Sequence, residues 1–239
     1  MKPVIIALDF ENRHQTEQFL TLFDAAPKKP VIKVGMELFY REGPAFVRDL
    51  AAQGYAIFLD LKLMDIPHTV EMAMQQLAQL GIAYTTIHAN GGSAMIQAAK
   101  KGLTTGAAKA GLPTPKLLAV TELTSITPAM LKDELHVDLP MQAEVVALAE
   151  LAQQNGADGV ICSPQEVPAL QQHLPQDFLF VTPGIRPVGA AKDDQARVAT
   201  PAEAAQLGSS AIVVGRPITL SQTPFATYQQ IRKEFNAHD

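Results

Sequence analysis

The 239-residue chain has one cysteine, Cys162, so neither a disulfide framework nor a cysteine-rich zinc site can form within it. Cys162 lies in an apolar, strand-like run and reads as a core residue, with reactivity a poor second. Apart from His88, the histidines at 14, 68, 136, 173 and 238 show no metal-ligand spacing. No basic block breaks up a formal net charge of −5, which argues against non-specific nucleic-acid binding as the main role. No apolar run approaches the length that spans a bilayer. The first one, Val4-Ile5-Ile6-Ala7-Leu8, is too short for a signal peptide, so a soluble, cytoplasmic protein is expected. Linkers and low-complexity segments are missing too, and 1–239 is read as one domain. Apolar residues make up 47% and charged residues only 18%, enough for a sizeable core and against disorder.

Short apolar runs recur along the chain: Val4–Leu8, Val31–Gly35, Ala56–Asp60, Tyr84–His88, Lys116–Thr121, Gly159–Cys162, Phe178–Thr182 and Ala211–Gly215. None alternates cleanly, as expected for parallel strands covered on both faces. Helical patterns lie between them. Val70, Ala73, Leu77 and Leu80 mark one face before Gly81; Phe46, Leu50 and Ala51-Ala52 precede Gly54; Val145, Leu148, Ala149 and Ala152 precede Gly156. Gly102–Pro115 is loosely patterned and reads as a surface connection. Eight βα units at this length predict a (β/α)8 barrel, the TIM-barrel architecture, over an open doubly wound sheet.

The densest chemistry follows the third run, in Asp60-Leu61-Lys62-Leu63-Met64-Asp65-Ile66-Pro67. Charges are rarely buried unless paired. Side chains two apart in a strand share a side, so Asp60 and Lys62 should face each other. A carboxylate–ammonium–carboxylate row holds a lysine in place, which suits a reaction that creates a carbanion; the bland alternative is a surface ion-pair cluster. Lys33 sits inside an apolar run and needs a carboxylate partner or a path to solvent. Asp9 either binds a sugar hydroxyl or caps a helix over Glu11–Phe23. His88 reads as a buried, hydrogen-bonded structural histidine near the site, or as an acid–base group. Asp9, Lys33, Asp60, Lys62, His88, Thr121, Pro183 and Gly215 all fall at or just past strand ends, which converge in a barrel on a single small-molecule site.

The last two runs are followed by Thr182-Pro183-Gly184-Ile185-Arg186-Pro187 and Gly215-Arg216-Pro217-Ile218. Each pairs a glycine, which lets an anion approach the backbone, with an arginine suited to phosphate. Between them, Thr200-Pro201-x-Glu203 reads as a helix N-terminus, and Gln195 lies in the loop before it.

Taken together, these motifs resemble the orotidine 5′-phosphate decarboxylase family nearly end to end. The resemblance is carried by Leu8-Asp9, Lys33-Val34-Gly35, Asp60-x-Lys62-x-x-Asp65-Ile66-Pro67-x-Thr69, His88-Ala89-x-Gly91-Gly92, Val120-Thr121-x-Leu123-Thr124-Ser125, Thr182-Pro183-Gly184-Ile185-Arg186, Asp194-Gln195-x-Arg197 and Gly215-Arg216-Pro217. Asp-x-Lys-x-x-Asp alone is shared with a wider superfamily of sugar-phosphate decarboxylases, aldolases and epimerases. The resemblance implies cofactor-free decarboxylation of orotidine 5′-phosphate to UMP in pyrimidine biosynthesis. It gives Lys62 the protonation of C6, and Asp60 the holding of Lys62 and crowding of the substrate carboxylate. Lys33 and Asp9 would contact the ribose, and Thr124 the pyrimidine. Arg186, Gln195, Gly215 and Arg216 would hold the 5′-phosphate, with Gly189–Asp193 as a phosphate-side loop. It also implies a homodimer in which Asp65, Ile66 and Thr69 are donated across the interface. The rival enzyme, a Mg²⁺-dependent relative acting on ketose phosphates, would carry an acidic ligand where this chain has Lys33. A catalytically silent nucleotide-binding barrel is the alternative from another class.

Overall fold

The computed structural model describes residues 1–24, 26–187 and 198–237. Eight parallel strands, β1 (Val4–Ala7), β2 (Val31–Gly35), β3 (Ala56–Leu63), β4 (Tyr84–His88), β5 (Lys116–Val120), β6 (Gly159–Ile161), β7 (Leu179–Thr182) and β8 (Ala211–Val214), pair in chain order. The barrel closes where β8 pairs with β1, through Val4 opposite Ile212 and Ile6 opposite Val214. The helices are α1 (Arg13–Thr21), α2 (Met36–Ala52), α3 (Pro67–Leu77), α4 (Gly92–Ala110), α5 (Pro128–Asp133), α6 (Met141–Gln154), α7 (Val167–Leu170), α8 (Pro201–Gln206), α9 (Arg216–Thr219) and α10 (Pro224–Phe235). The (β/α)8 expectation is met.

The core has two compartments, because successive strand residues point to opposite faces. Ile6, Ile32, Val34, Ile57, Leu59, Ile87, Leu117 and Ala119 face outward into a continuous layer beneath the helices. Ile5, Ala7, Phe58, Leu118, Val181, Ala211 and Val213, with Val31, Tyr84, Ile161 and Leu179, plug the barrel interior. The next inward position above each plug residue follows by the same alternation. Above Ala7 stands Asp9, above Val31 Lys33, above Phe58 Asp60, above Tyr84 Thr86 and above Val213 Gly215. The apolar plug thus ends in a polar floor at the C-terminal mouth, where barrel active sites form.

β3 is longer than its sequence pattern. It continues past Asp60 to Leu63, and its register against β4 shifts between Leu59 and Leu63. Within this irregularity Lys62 has φ 52°, a left-handed conformation that costs a side-chain-bearing residue about 1–2 kcal/mol.

Two other expectations are corrected. Gly102–Pro115 is not a loose connection, because α4 runs through to Ala110. Gly102 and Gly106 are buried in its interior, and a Cβ on either would strike the backbone of Glu71 or Gln75 in α3. The glycines that blurred the helical pattern are what lets α4 lie close against α3. The first helix spans Arg13–Thr21, and its cap is Asn12, whose side chain accepts from the Gln15 N–H. Asp9 is therefore free of the capping role that competed with a functional one.

At the opposite, N-terminal end, Asp158 binds two elements, α4 and β5, to the start of β6. Its carboxylate accepts from Lys100 Nζ of α4 at 2.6 Å, from Lys116 Nζ at 3.1 Å and from the Leu117 N–H of β5 at 2.8 Å. Burial pushes this carboxyl up, but the hydrogen bonds from Lys100, Leu117 and Lys116 outweigh it and hold the group below the usual carboxylate range. Because the folded state releases this proton more readily, the resulting stability is present above the unfolded pKa, near 3.9. It is lost as pH falls through the folded one. Asp158→Asn is expected to cost about 1–3 kcal/mol at pH 7, several degrees in Tm. The gap to wild type should narrow in melts below about pH 4; equal Tm values at pH 7 would contradict the assignment.

Candidate active site

Asp60 is at the centre of the polar floor. Its Oδ1 accepts from Lys62 Nζ at 2.8 Å and from Thr86 Oγ1 at 2.9 Å. Its Oδ2 lies 3.8 Å from Lys33 Nζ, which also donates to Asp9 Oδ1 at 3.0 Å. Charge alternates along this chain of contacts: Asp9, Lys33, Asp60, Lys62. The side chains of Asp60 and Lys33 are only 11% and 12% exposed, so their pairing is what makes their burial tolerable. Asp9 is exposed at the rim.

Lys33, Asp60 and Lys62 form one wall of a cavity of about 220 Å³, closed by Phe58, Val120, Ile161 and Val213 and by Glu122, Leu123, Thr124, Cys162 and Pro183. A second hollow of about 190 Å³ shares Lys33, Asp60 and Lys62 and extends over Asp9, Gly35 and Glu37. The β1, β2 and β8 ends converge here. A Cβ on Gly35 would lie 3.2 Å from Lys33 Nζ, and one on Gly215 would lie 3.6 Å from Asp9 Oδ2. Gly215 leads directly into α9, with Arg216 exposed at its start. Arg186, after β7, is buried; its Nη1 donates to the Ile185 carbonyl at 3.0 Å and its N–H to the Ala199 carbonyl at 2.9 Å. Beside it, α8 begins at the expected helix N-terminus, with a capping box in which Thr200 and Glu203 each accept the other's N–H.

The structure thus gathers Asp9, Lys33, Asp60, Lys62 and Thr124 around one cavity system. Asp65, Ile66 and Thr69 are instead exposed at the N-terminus of α3. The Asp65 carboxylate accepts its neighbour Ile66 N–H at 2.6 Å, so the second carboxylate of the sequence row is not paired with Lys62 of its own chain. Gln195, Asp194, Arg197 and the 189–193 loop lie outside the described residues. Two residues escaped the sequence reading. Glu122 is a buried carboxylate in the cavity wall, hidden at an unspecified position of the Val120–Ser125 motif. Thr86 looks like any strand threonine; only its inward parity above Tyr84 marks it. Cys162 is buried, as expected, and also reaches the cavity wall. Among the described residues, no group of three or more His, Cys, Asp or Glu is arranged to hold a metal ion, and no helix is long and apolar enough to cross a membrane.

A closed parallel barrel with a lysine–carboxylate network at its C-terminal mouth defines an enzyme-type barrel with a small-molecule site. The chain belongs to the orotidine 5′-phosphate decarboxylase / HUMPS family, whose sequence model matches residues 2–231. It is 58% identical to the orotidine 5′-phosphate decarboxylase of Lactobacillus gasseri, over 98% of this chain and 99% of that one. The crystal structure of orotidine 5′-phosphate decarboxylase from Lactobacillus acidophilus superposes with a TM-score of 0.89 at 52% identity, over 99% of this chain and 100% of that one. An uncharacterized conserved protein from Geobacillus kaustophilus has the same fold, with a TM-score of 0.86 at 41% identity, over 98% and 100% of the two chains.

His88, at the end of β4, is half-buried rather than fully enclosed. Burial lowers its pKa below the ordinary histidine value; the nearby Lys62 charge lowers it further, and Asp60 partly opposes this. A lowered value keeps the ring neutral at pH 7. Replacing Lys62 by methionine removes one of the two lowering effects, so the His88 titration followed by NMR should move up in Lys62→Met. A titration that stays in place or moves down would show that Lys62 does not act on this ring.

Proposed function

We propose that this chain, read as a single catalytic barrel over 1–239, is a cytoplasmic carboxy-lyase that converts orotidine 5′-phosphate to UMP in pyrimidine biosynthesis. The observation that carries the reading is the Asp9–Lys33–Asp60–Lys62 row lining the mouth of a barrel of this family. Its relatives in Lactobacillus are named for that reaction.

The chemistry asks for a fixed cation. When the bond between C6 and the carboxylate carbon breaks, CO₂ leaves and the electron pair stays on C6. It occupies an sp² orbital that lies in the ring plane and cannot delocalise into it. Lys62, anchored by Asp60, supplies a positive charge beside that orbital and then its proton, which solvent later restores. Asp60 crowds the departing carboxylate and, with Lys33, keeps Lys62 aimed. Lys33 and Asp9 take the ribose, and Thr124 faces the pyrimidine. Arg186, Gly215, Arg216 and Gln195 take the 5′-phosphate, and binding energy from that remote group organises the site. The exposed apolar side chains of Met64 and Ile66 beside Asp65 support a homodimer in which Asp65, Ile66 and Thr69 complete the partner's site.

Lys33 also supports a metal-free reaction over enediolate chemistry. Its ammonium occupies the space between the Asp9 and Asp60 carboxylates, where a divalent ion would otherwise find its oxygen ligands.

The test is loss of orotidine 5′-phosphate absorbance in the presence of EDTA. Wild type is expected to form UMP and Lys62→Ala to lose nearly all activity. No conversion by folded wild type would sink the assignment and direct attention to ketose phosphates with Mg²⁺. Arg216→Ala should lower kcat/KM for the intact substrate, by about 10²-fold if one charged phosphate contact of about 2–3 kcal/mol is lost; an unchanged value would remove it from the phosphate site.

A further inference from the structure

We propose that Thr86 is a positioning residue for this reaction, its hydroxyl fixing the Lys62 backbone to the carboxylate that holds the Lys62 ammonium. The inference rests on the decarboxylase reading above. Thr86 is in the middle of β4, fully buried, and it is not among the residues that line the cavity, so it acts through its neighbours. Its Oγ1 accepts the Lys62 N–H at 2.9 Å and stands 2.9 Å from Asp60 Oδ1.

The proton count leaves one arrangement. The Lys62 N–H can only donate. The hydroxyl owns a single proton, and an ionised carboxylate can only accept. Thr86 therefore receives from Lys62 and gives to Asp60. One hydroxyl closes a ring that runs from the Lys62 backbone through Thr86 to Asp60 Oδ1 and returns along the lysine side chain, whose Nζ is 2.8 Å from that same oxygen.

The ring sits where the strand is least able to hold itself. β3 loses register with β4 between Leu59 and Leu63, no β4 residue is paired with Lys62, its N–H goes to the Thr86 side chain, and its φ of 52° is disfavoured. The Thr86 hydroxyl substitutes for the ladder at that point. It also sets the direction from which Asp60 Oδ1 meets Lys62, leaving Oδ2 toward Lys33. Small displacements of a catalytic group are costly, since about 1 Å can lose about 10²-fold in rate.

The experiment compares wild type, Thr86→Val and Thr86→Ser by steady-state kinetics with orotidine 5′-phosphate, with thermal melts on each. Valine keeps the shape and removes the hydroxyl; serine keeps the hydroxyl and removes the methyl. Thr86→Val is expected to lower kcat about 10- to 100-fold with KM changed less than about threefold, and Thr86→Ser to keep most of kcat. Should Thr86→Val fail to fold, Thr86→Ala against Thr86→Ser decides by the same split. A valine variant with wild-type kcat overturns the role. So does a serine variant as damaged as the valine one, which would assign the effect to packing of the methyl group, and so does a loss confined to KM. Wild type that converts no substrate overturns the decarboxylase reading and this role with it. Active wild type with an indifferent Thr86 overturns the role alone.

Discussion

The carboxylate of Asp60 is the group on which the rest of the site depends. It is nearly enclosed at the top of an apolar plug, where an unpaired charge would cost several kcal/mol. Its partners come from three neighbouring strands: Lys33 from β2, Lys62 from its own β3 and Thr86 from β4. No short segment of chain could supply them. Barrel closure with the observed register, Gly35 opposite Asp60 on one side and Phe58 opposite Tyr84 on the other, brings them within reach. The fold and the site therefore stabilise each other: the barrel assembles the network, and the network makes it tolerable to end the barrel's interior in charge.

The same arrangement explains why Lys62 adopts an unfavourable backbone conformation inside a strand rather than sitting in a loop. Lys62 stands on the same inward line as Asp60, one step nearer the mouth of the barrel, with Leu61 turned outward between them. Within the irregular stretch of β3 its ammonium reaches back to Asp60 Oδ1 while lining the cavity. Strained residues persist where their surroundings over-determine them. Here that role falls to the Thr86 hydroxyl on the backbone side and Asp60 on the side-chain side.

Much of this was legible in the sequence, though its backbone detail was not. The eight apolar runs are the eight strands, and polar residues at their ends do converge. Asp60 and Lys62 meet on one side as alternation predicts, with Leu59, Leu61 and Leu63 turned outward, but nothing in Asp-Leu-Lys-Leu announces the left-handed φ of Lys62. The extension of β3 to Leu63 was hidden because the charges there resemble a strand end. α4 was hidden because Gly102 and Gly106 lower helix propensity, while their value lies in close contact with α3, a tertiary property. Thr86 and Glu122 carried no local signal: a hydroxyl matters here only through what the neighbouring strand presents to it, and one acid in a motif resembles any other until its burial is seen.

On the proposed reading, the charge pattern also separates the tasks of the two ends of the pocket. Along Asp9, Lys33, Asp60 and Lys62 each charge has an opposite neighbour within 4 Å, and the four sum to zero. Such a row has only a short-range field; beyond about one Debye length, roughly 8–10 Å in physiological salt, it offers little to attract an anion. The chain as a whole carries −5 and would repel one. On the same reading, attraction for the anionic substrate comes from the other end, from Arg186 and Arg216 with their adjoining backbone turns. Affinity and chemistry are then supplied by different residues, and the neutral row is left to act on the charge that develops at the reacting carbon. On that reading, the division lets binding at a remote group lower the barrier at the reacting carbon.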